Sequence, residues 1–180
     1  MYQYKIRWIA LLSLLLGGLI CNPVSADIYL CIDEIKGEVT TSGFEDCIDI
    51  ENFSDGVSRA ISLAGGTRET GRPSFSEISM GKSMDKATVL LRQHAAVGTP
   101  LDMNIHFVNT GIERPCEYYH VNLGGALLAS HTMSNTADQP FESLTINFSR
   151  ITYASYTYDG ERCGTNPVTW GYDLAAGQPL

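Results

Sequence analysis

Apolar residues recur at every second position through most of the chain beyond residue 26, a period that fits strands with one buried face and does not fit helices. Leu101, Met103, Ile105 and Phe107 alternate with Asp102, Asn104 and His106. Tyr119, Val121 and Leu123 alternate with Tyr118, His120 and Asn122. Ile28, Leu30 and Ile32 share a face within Asp27–Asp33, and Ile48 and Ile50 oppose Asp49 and Glu51. A long strand is expected over Leu144–Tyr158, with a slip near Arg150 where the apolar phase passes from Leu144, Ile146 and Phe148 to Ile151 and Tyr153. Such a slip predicts a bulge or a change of exposed face. Val168–Leu174 reads as a short final strand.

One segment has helical period instead. Asp85 is placed to cap a helix running from Lys86 to about Val97, with Gly98 as its stop. Ala87, Leu90, Leu91 and Ala95 then share a face that covers a sheet. Ser54–Ser74, rich in Gly, Ser, Thr and Arg, is expected to be a long excursion too polar for the core. These readings predict one mainly β domain with a single helix.

The first 26 residues have a different character. Lys5 and Arg7 precede an apolar run from Trp8 to Ile20, and Asn22-Pro-Val-Ser-Ala26 follows as a polar end with small residues before a cut. This is the pattern of a cleavable signal peptide, residues 1–26, with the working domain spanning 27–180. The run of 13 residues is short of the roughly 20 needed to cross a bilayer. Ile20 stands before Cys21, where lipidation requires a small residue. Localisation is therefore expected to be periplasmic or extracellular, without a membrane anchor after cleavage.

Removing the leader takes away two bases and no acids, leaving 10 basic against 20 acidic side chains, a net charge of −10. That charge excludes nucleic acid and anionic lipid as natural partners. It also leaves four cysteines, Cys31, Cys47, Cys116 and Cys163, whose gaps lack the close pairs of a zinc site and suit disulfides in an exported chain. Cys31 and Cys47 both lie opposite the apolar faces of their strands. If those strands form a hairpin, the thiols emerge together, giving Cys31–Cys47 and Cys116–Cys163 as the working pairing; two other connectivities stay open.

Enzyme signatures are missing. Gly66–Pro73 imitates a phosphate loop in glycine spacing but lacks the Lys-Ser/Thr ending, and Gly56–Ala60 only half-matches a nucleophile elbow. His94, His106, His120 and His131 form no metal motif, and His106 and His120 fall on polar strand faces where solvated imidazoles are expected. No cofactor, metal or catalytic residue is expected. Tyr153, Tyr156, Tyr158, Trp170 and Tyr172 cluster late in the chain, where they suit the rim of a sheet core more than a carbohydrate platform.

The order of elements resembles a known family. It runs from Ile28–Glu38 through a strand and long loop to Ser74-Phe-Ser76, then to Met84-Asp-Lys-Ala-Thr88 opening a helix. A hairpin, the strand Ser143–Tyr153 and the closing Thr169-Trp-Gly-Tyr-Asp-Leu174 complete it. This is similar to the haemolysin-coregulated protein (Hcp) family, the inner-tube proteins of type VI secretion systems, themselves similar to phage tail tube proteins. The resemblance covers essentially all of residues 27–180. It implies a β-barrel of two packed sheets with a helix on its side, hexameric rings that stack into a tube, small effectors held inside the ring, and no catalytic residues. It also implies that Ser54–Ser74 reaches a neighbouring subunit or ring. A leader and four cysteines set this chain apart from tube proteins loaded from the cytoplasm. A second reading is therefore a secreted or periplasmic binding module with the same fold, acting on a host or envelope protein outside any tube.

Overall fold

The computed structural model describes residues 26–111, 114–136, 139–158 and 163–180. The expected leader, apart from Ala26, lies outside the described residues. Among the described residues, twelve strands and one helix follow in order: β1 (Ala26–Cys31), β2 (Ile48–Ile50), β3 (Asn52–Ser54), β4 (Val57–Ala64), β5 (Thr67–Phe75), β6 (Ile78–Ser83), α1 (Thr88–Val97), β7 (Leu101–Asn109), β8 (Cys116–Thr136), β9 (Gln139–Asn147), β10 (Arg150–Ser155), β11 (Val168–Asp173) and β12 (Gln178–Pro179). All pairings are antiparallel, and the first sheet has the order β12-β11-β10-β8-β7-β1-β2. A second is built from β3, β6, β9 and the far half of β8, while β4 and β5 pair only with each other.

The alternating faces pack as their period requires. Leu30 lies opposite Ile48 on one side and Ile105 on the other. These three, with Ile78, Met103, Val121, Leu123, Leu144, Ile146 and Ile151, have no or almost no exposed surface and form the core between the sheets. On the outer face of β1, Tyr29, Cys47 and Val108 make a second, smaller cluster with Cys31, Val39 and Phe44 around it.

Three expectations are corrected. The sheets do not close into a barrel: β2 ends the first sheet and β3 begins the second, and the chain bends at Glu51 between them. The ladder lapses at that bend, where the Glu51 amide donates to the Gly81 carbonyl at 2.8 Å. The long strand over Leu144–Tyr158 is two strands. Its phase slip marks the passage from β9 in the second sheet to β10 in the first, with Ser149 N–H donating to Gly124 O at 3.2 Å. The helix starts at Thr88, two residues later than expected, because Lys86 and Ala87 form a turn in which the Asp85 carboxylate accepts the Ala87 amide at 2.9 Å. Ala87 and Leu91 are fully buried, but Leu90 is 40% exposed, since the helix packs narrowly along β8. Gly98 ends it in the left-handed region, its amide bonded to His94 O.

The same Asp85 carboxylate belongs to a buried ionic group. Lys82 and Glu142 face each other across β6 and β9, and neither has any exposed surface. The Lys82 ammonium donates to Glu142 Oε2 at 2.9 Å, Asp85 Oδ1 at 2.8 Å and Ser83 O at 2.7 Å, which uses all three of its protons. Removing one partner of such a group leaves a desolvated charge and costs about 3–5 kcal/mol. Lys82→Met is expected to lower the midpoint of thermal unfolding by about 6–15 °C, and pairing it with Glu142→Leu should restore most of the loss. A single variant that melts like the parent would show that the group contributes little.

His131 lies beside this group, its imidazole 1% exposed and its Nε2 3.5 Å from Glu142 Oε1. Burial holds its pKa below the ordinary imidazole value, with Arg92 and Lys82 acting in the same direction against the opposing pull of Glu142. The unfolded chain therefore binds this proton near pH 6.5 while the folded chain does not, and stability falls as pH drops below that value towards the lower folded pKa. Urea unfolding at a series of pH values from 7.5 downward should show this decline, and His131→Gln should flatten part of it.

Candidate functional site

Most of the segment expected to be a long excursion is a β-hairpin. Residues 57–75 fold as β4 and β5, with Ala64 opposite Thr67 and only Gly65 and Gly66 between them. Both glycines have positive φ, 58° and 84°, which a two-residue turn of the type matching strand twist requires and side chains resist. A register shift between Arg59 and Ile61 bends the ribbon. The glycines whose spacing imitates a phosphate loop lie in this turn and in β5, and the segment presents no helix start to a phosphate, as expected.

The hairpin is anchored at its base. Ser76 N–H donates to Gly56 O at 2.8 Å, and Tyr153 on β10 donates its hydroxyl to Asp55 at 2.8 Å. Burial and that carboxylate push the Tyr153 pKa well up, so the hydroxyl stays a donor. Phe75 closes the base against Trp170, Tyr172 and Phe148, at ring-centre distances of 6.3, 5.1 and 6.4 Å. Beyond the base the ribbon carries apolar side chains into solvent, with Ile61 67% and Leu63 76% exposed. A lone two-stranded ribbon with apolar exposure is marginal in water and has two free edges. Its chemistry suits contact with another protein surface.

The late aromatic residues divide between two places. Tyr153, Trp170 and Tyr172 continue the stack from Phe75, with Trp170 6.1 Å from each tyrosine ring. Tyr156 and Tyr158 instead line a largely apolar cleft of about 570 Å³ with Phe107, Tyr118 and Tyr119.

The structure joins Cys31 to Cys47, Cα atoms 4.5 Å apart, and Cys116 to Cys163, 5.7 Å apart. The first bond closes the loop that carries Phe44, whose ring lies 5.5 Å from Tyr29 and 5.2 Å from His106. The second anchors the start of β8. Between them lies a group that the alternation pattern does not reveal. His106 and His120 are direct cross-strand partners on the outer face of β7 and β8, half-buried, with rings stacked 4.5 Å apart at 11°. A bulge at Tyr118 shifts the register so that Glu117, not Tyr118, shares the histidine face, opposite Val108. Glu117 Oε1 lies 2.5 Å from His106 Nδ1. His120 Nε2 donates to Asn104 Oδ1 at 3.1 Å, and Asn122 Nδ2 donates to the same oxygen at 2.8 Å. Burial, and then the neighbouring His106, lower the His120 pKa against the pull of Glu117. These imidazoles are therefore held in a network, not solvated as the strand faces suggested. His94 and His131 lie apart from them, on α1 and on the far half of β8.

Set beside known proteins, residues 29–155 match the family model described as "Type VI secretion system effector, Hcp". No curated protein matches the chain at the level of sequence. Among solved structures, a type six secretion system protein superposes with a TM-score of 0.79 at 19% identity, covering 87% of this chain and 100% of its own. Hcp1 from Salmonella typhimurium gives 0.71 at 19% identity, covering 87% and 99%. A type VI secretion system effector from Yersinia pestis gives 0.66 at 17%, covering 82% and 99%. At these identities the likeness establishes the fold, and the family match spans well over half the chain. The chain belongs to the Hcp family of type VI secretion tube proteins.

Proposed function

We propose that this protein is an exported Hcp-like structural subunit that closes into rings, hexameric as in the family it belongs to, and holds an effector or partner protein in the ring. The observation that carries the reading is the β4–β5 hairpin. It stands off the body with Ile61 and Leu63 exposed, anchored at its base by Phe75 and the Tyr153–Asp55 bond. Covering those side chains on a neighbouring subunit removes apolar surface from water at about 25 cal/mol per Å². The closed circle lets every hairpin find the same receiving surface.

Export rests on the leader at residues 1–26 and on the two disulfides, which persist in oxidising compartments. Cleavage after Ala26 leaves Asp27 at the start of β1, in a mature domain of residues 27–180 that is periplasmic or secreted. An exported subunit assembles where it is oxidised, so its rings form outside the cytoplasm. The acidic surface directs it to protein partners and away from nucleic acid and membranes.

Light scattering of the oxidised protein at high concentration should give a mass near six subunits, and Leu63→Asp with Ile61→Asp should leave a folded monomer. A parent protein that is strictly monomeric under those conditions would remove the ring and leave the binding module as the function of this fold. N-terminal sequencing of the protein recovered from the periplasm or medium is expected to begin at Asp27; recovery with Met1 intact would refute export by cleavage.

A further inference from the structure

We propose that His106, Glu117 and His120 form a binding site for one divalent transition-metal ion of the zinc class. Each of the three offers one ligand atom, and these atoms lie within 4.8 Å of one another. Two imidazoles and one carboxylate are a donor set suited to zinc and its borderline neighbours, with a fourth position left for water or an incoming group.

Three features distinguish the cluster from a chance meeting of polar side chains on a strand face. The first is the bulge at Tyr118, which turns Glu117 onto the histidine face; unbroken alternation would put Tyr118 there. Bulges recur where a strand must re-aim a side chain. The second is the fixing of His120. Asn104 Oδ1 can only accept, so His120 Nε2 carries the proton and its Nδ1 presents a lone pair. Asn122 holds that oxygen in place. This is the outer-shell arrangement that orients metal-binding imidazoles. The third is the setting: Phe44, in the loop closed by Cys31–Cys47, lies against His106, and Glu117 adjoins the bridged Cys116. Disulfides on both sides hold the backbone of the site and keep the thiols from competing for the ion.

In the arrangement seen here His106 Nδ1 and Glu117 Oε1 are in hydrogen-bond contact, 2.5 Å apart. The metal ion enters between those two atoms in place of that contact, and any proton they share leaves to solvent. Ligand atoms on a tetrahedral zinc stand about 3.3 Å apart, so the His106–Glu117 pair opens slightly. A metal ion lies in the plane of each imidazole, so one ring must also turn out of the stack. Both movements are side-chain rotations, and the strands stay in place.

Zinc ion alone, titrated into the untagged oxidised protein against a chelating dye, is expected to bind at one ion per chain. His106→Gln, Glu117→Gln and His120→Gln should each weaken binding by at least about tenfold. Asn104→Ala should weaken it by about tenfold through loss of the orienting hydrogen bond. His94→Gln should leave it unchanged. Circular dichroism of each variant separates lost ligands from lost folding. Cobalt(II) in the parent protein gives a second readout that needs no variant: visible bands of a nitrogen–oxygen site without sulfur charge transfer. No saturable binding at millimolar zinc, binding indifferent to the three substitutions, or a sulfur charge-transfer band would each overturn the assignment. Ring assembly plays no part in this test, so its outcome is independent of the proposed function.

Discussion

The whole architecture turns on a single strand. At 21 residues, β8 is long enough to serve two sheets, pairing with β7 and β10 along its first half and β9 along its second. The change of sheet falls between Ala126, opposite Leu101 of β7, and Leu127, opposite Asn147 of β9, just after an irregularity at Gly124-Gly125. Gly125 has φ of 59°, and its amide donates to Asp102 at 3.1 Å. A side chain on Gly124 would meet the Arg150 guanidinium at 2.9 Å. Without that corner the strand would run on flat, and the apolar faces of the two sheets would not oppose each other. The helix, the Lys82 group and the outer histidine face all take their positions from one half or the other of this strand.

Much of this architecture can be read in the sequence. Period-two alternation in Leu101–Phe107 and Tyr119–Leu123 identifies the central strands because both have one face in the core and one outside. The helix is legible for the same reason, with Leu91 buried in it and Ala87 buried in the turn before it. The misreadings share a physical cause. Alternation reports which face is buried but not which sheet a strand belongs to, so β9 and β10 merge into one predicted strand across the slip at Phe148–Arg150. It also fails where a ribbon has no buried face. The β4–β5 hairpin looks irregular because its residues face solvent on both sides, although Gly65-Gly66 is a turn signal of the kind that joins two strands.

The histidine group was hidden more deeply. His106 and His120 are visible as outward residues of adjacent strands, but Glu117 lies on the wrong parity for that face until the bulge at Tyr118 moves it. A bulge leaves no compositional mark here: Tyr118 is as ordinary a strand residue as Tyr119. The site is thus a property of register, which is fixed by long-range pairing and cannot be inferred from spacing along β8 alone.

For the proposed assembly, charge and apolar exposure pull in opposite directions, and their ranges decide the balance. Copies of the proposed mature domain, at a net −10, repel one another at long range, but salt screens that repulsion within about 8 Å at physiological ionic strength. The apolar contact of Ile61 and Leu63 acts only on touching, where it is unaffected by screening. In the proposed reading, association therefore requires a complementary surface that receives the hairpin. Orientation of the ribbon then matters more than the number of apolar side chains on it. That orientation is set by the Tyr153–Asp55 bond and the Phe75–Trp170 stack at its root, so in the proposed ring these residues matter to assembly without lying on the exposed part of the ribbon.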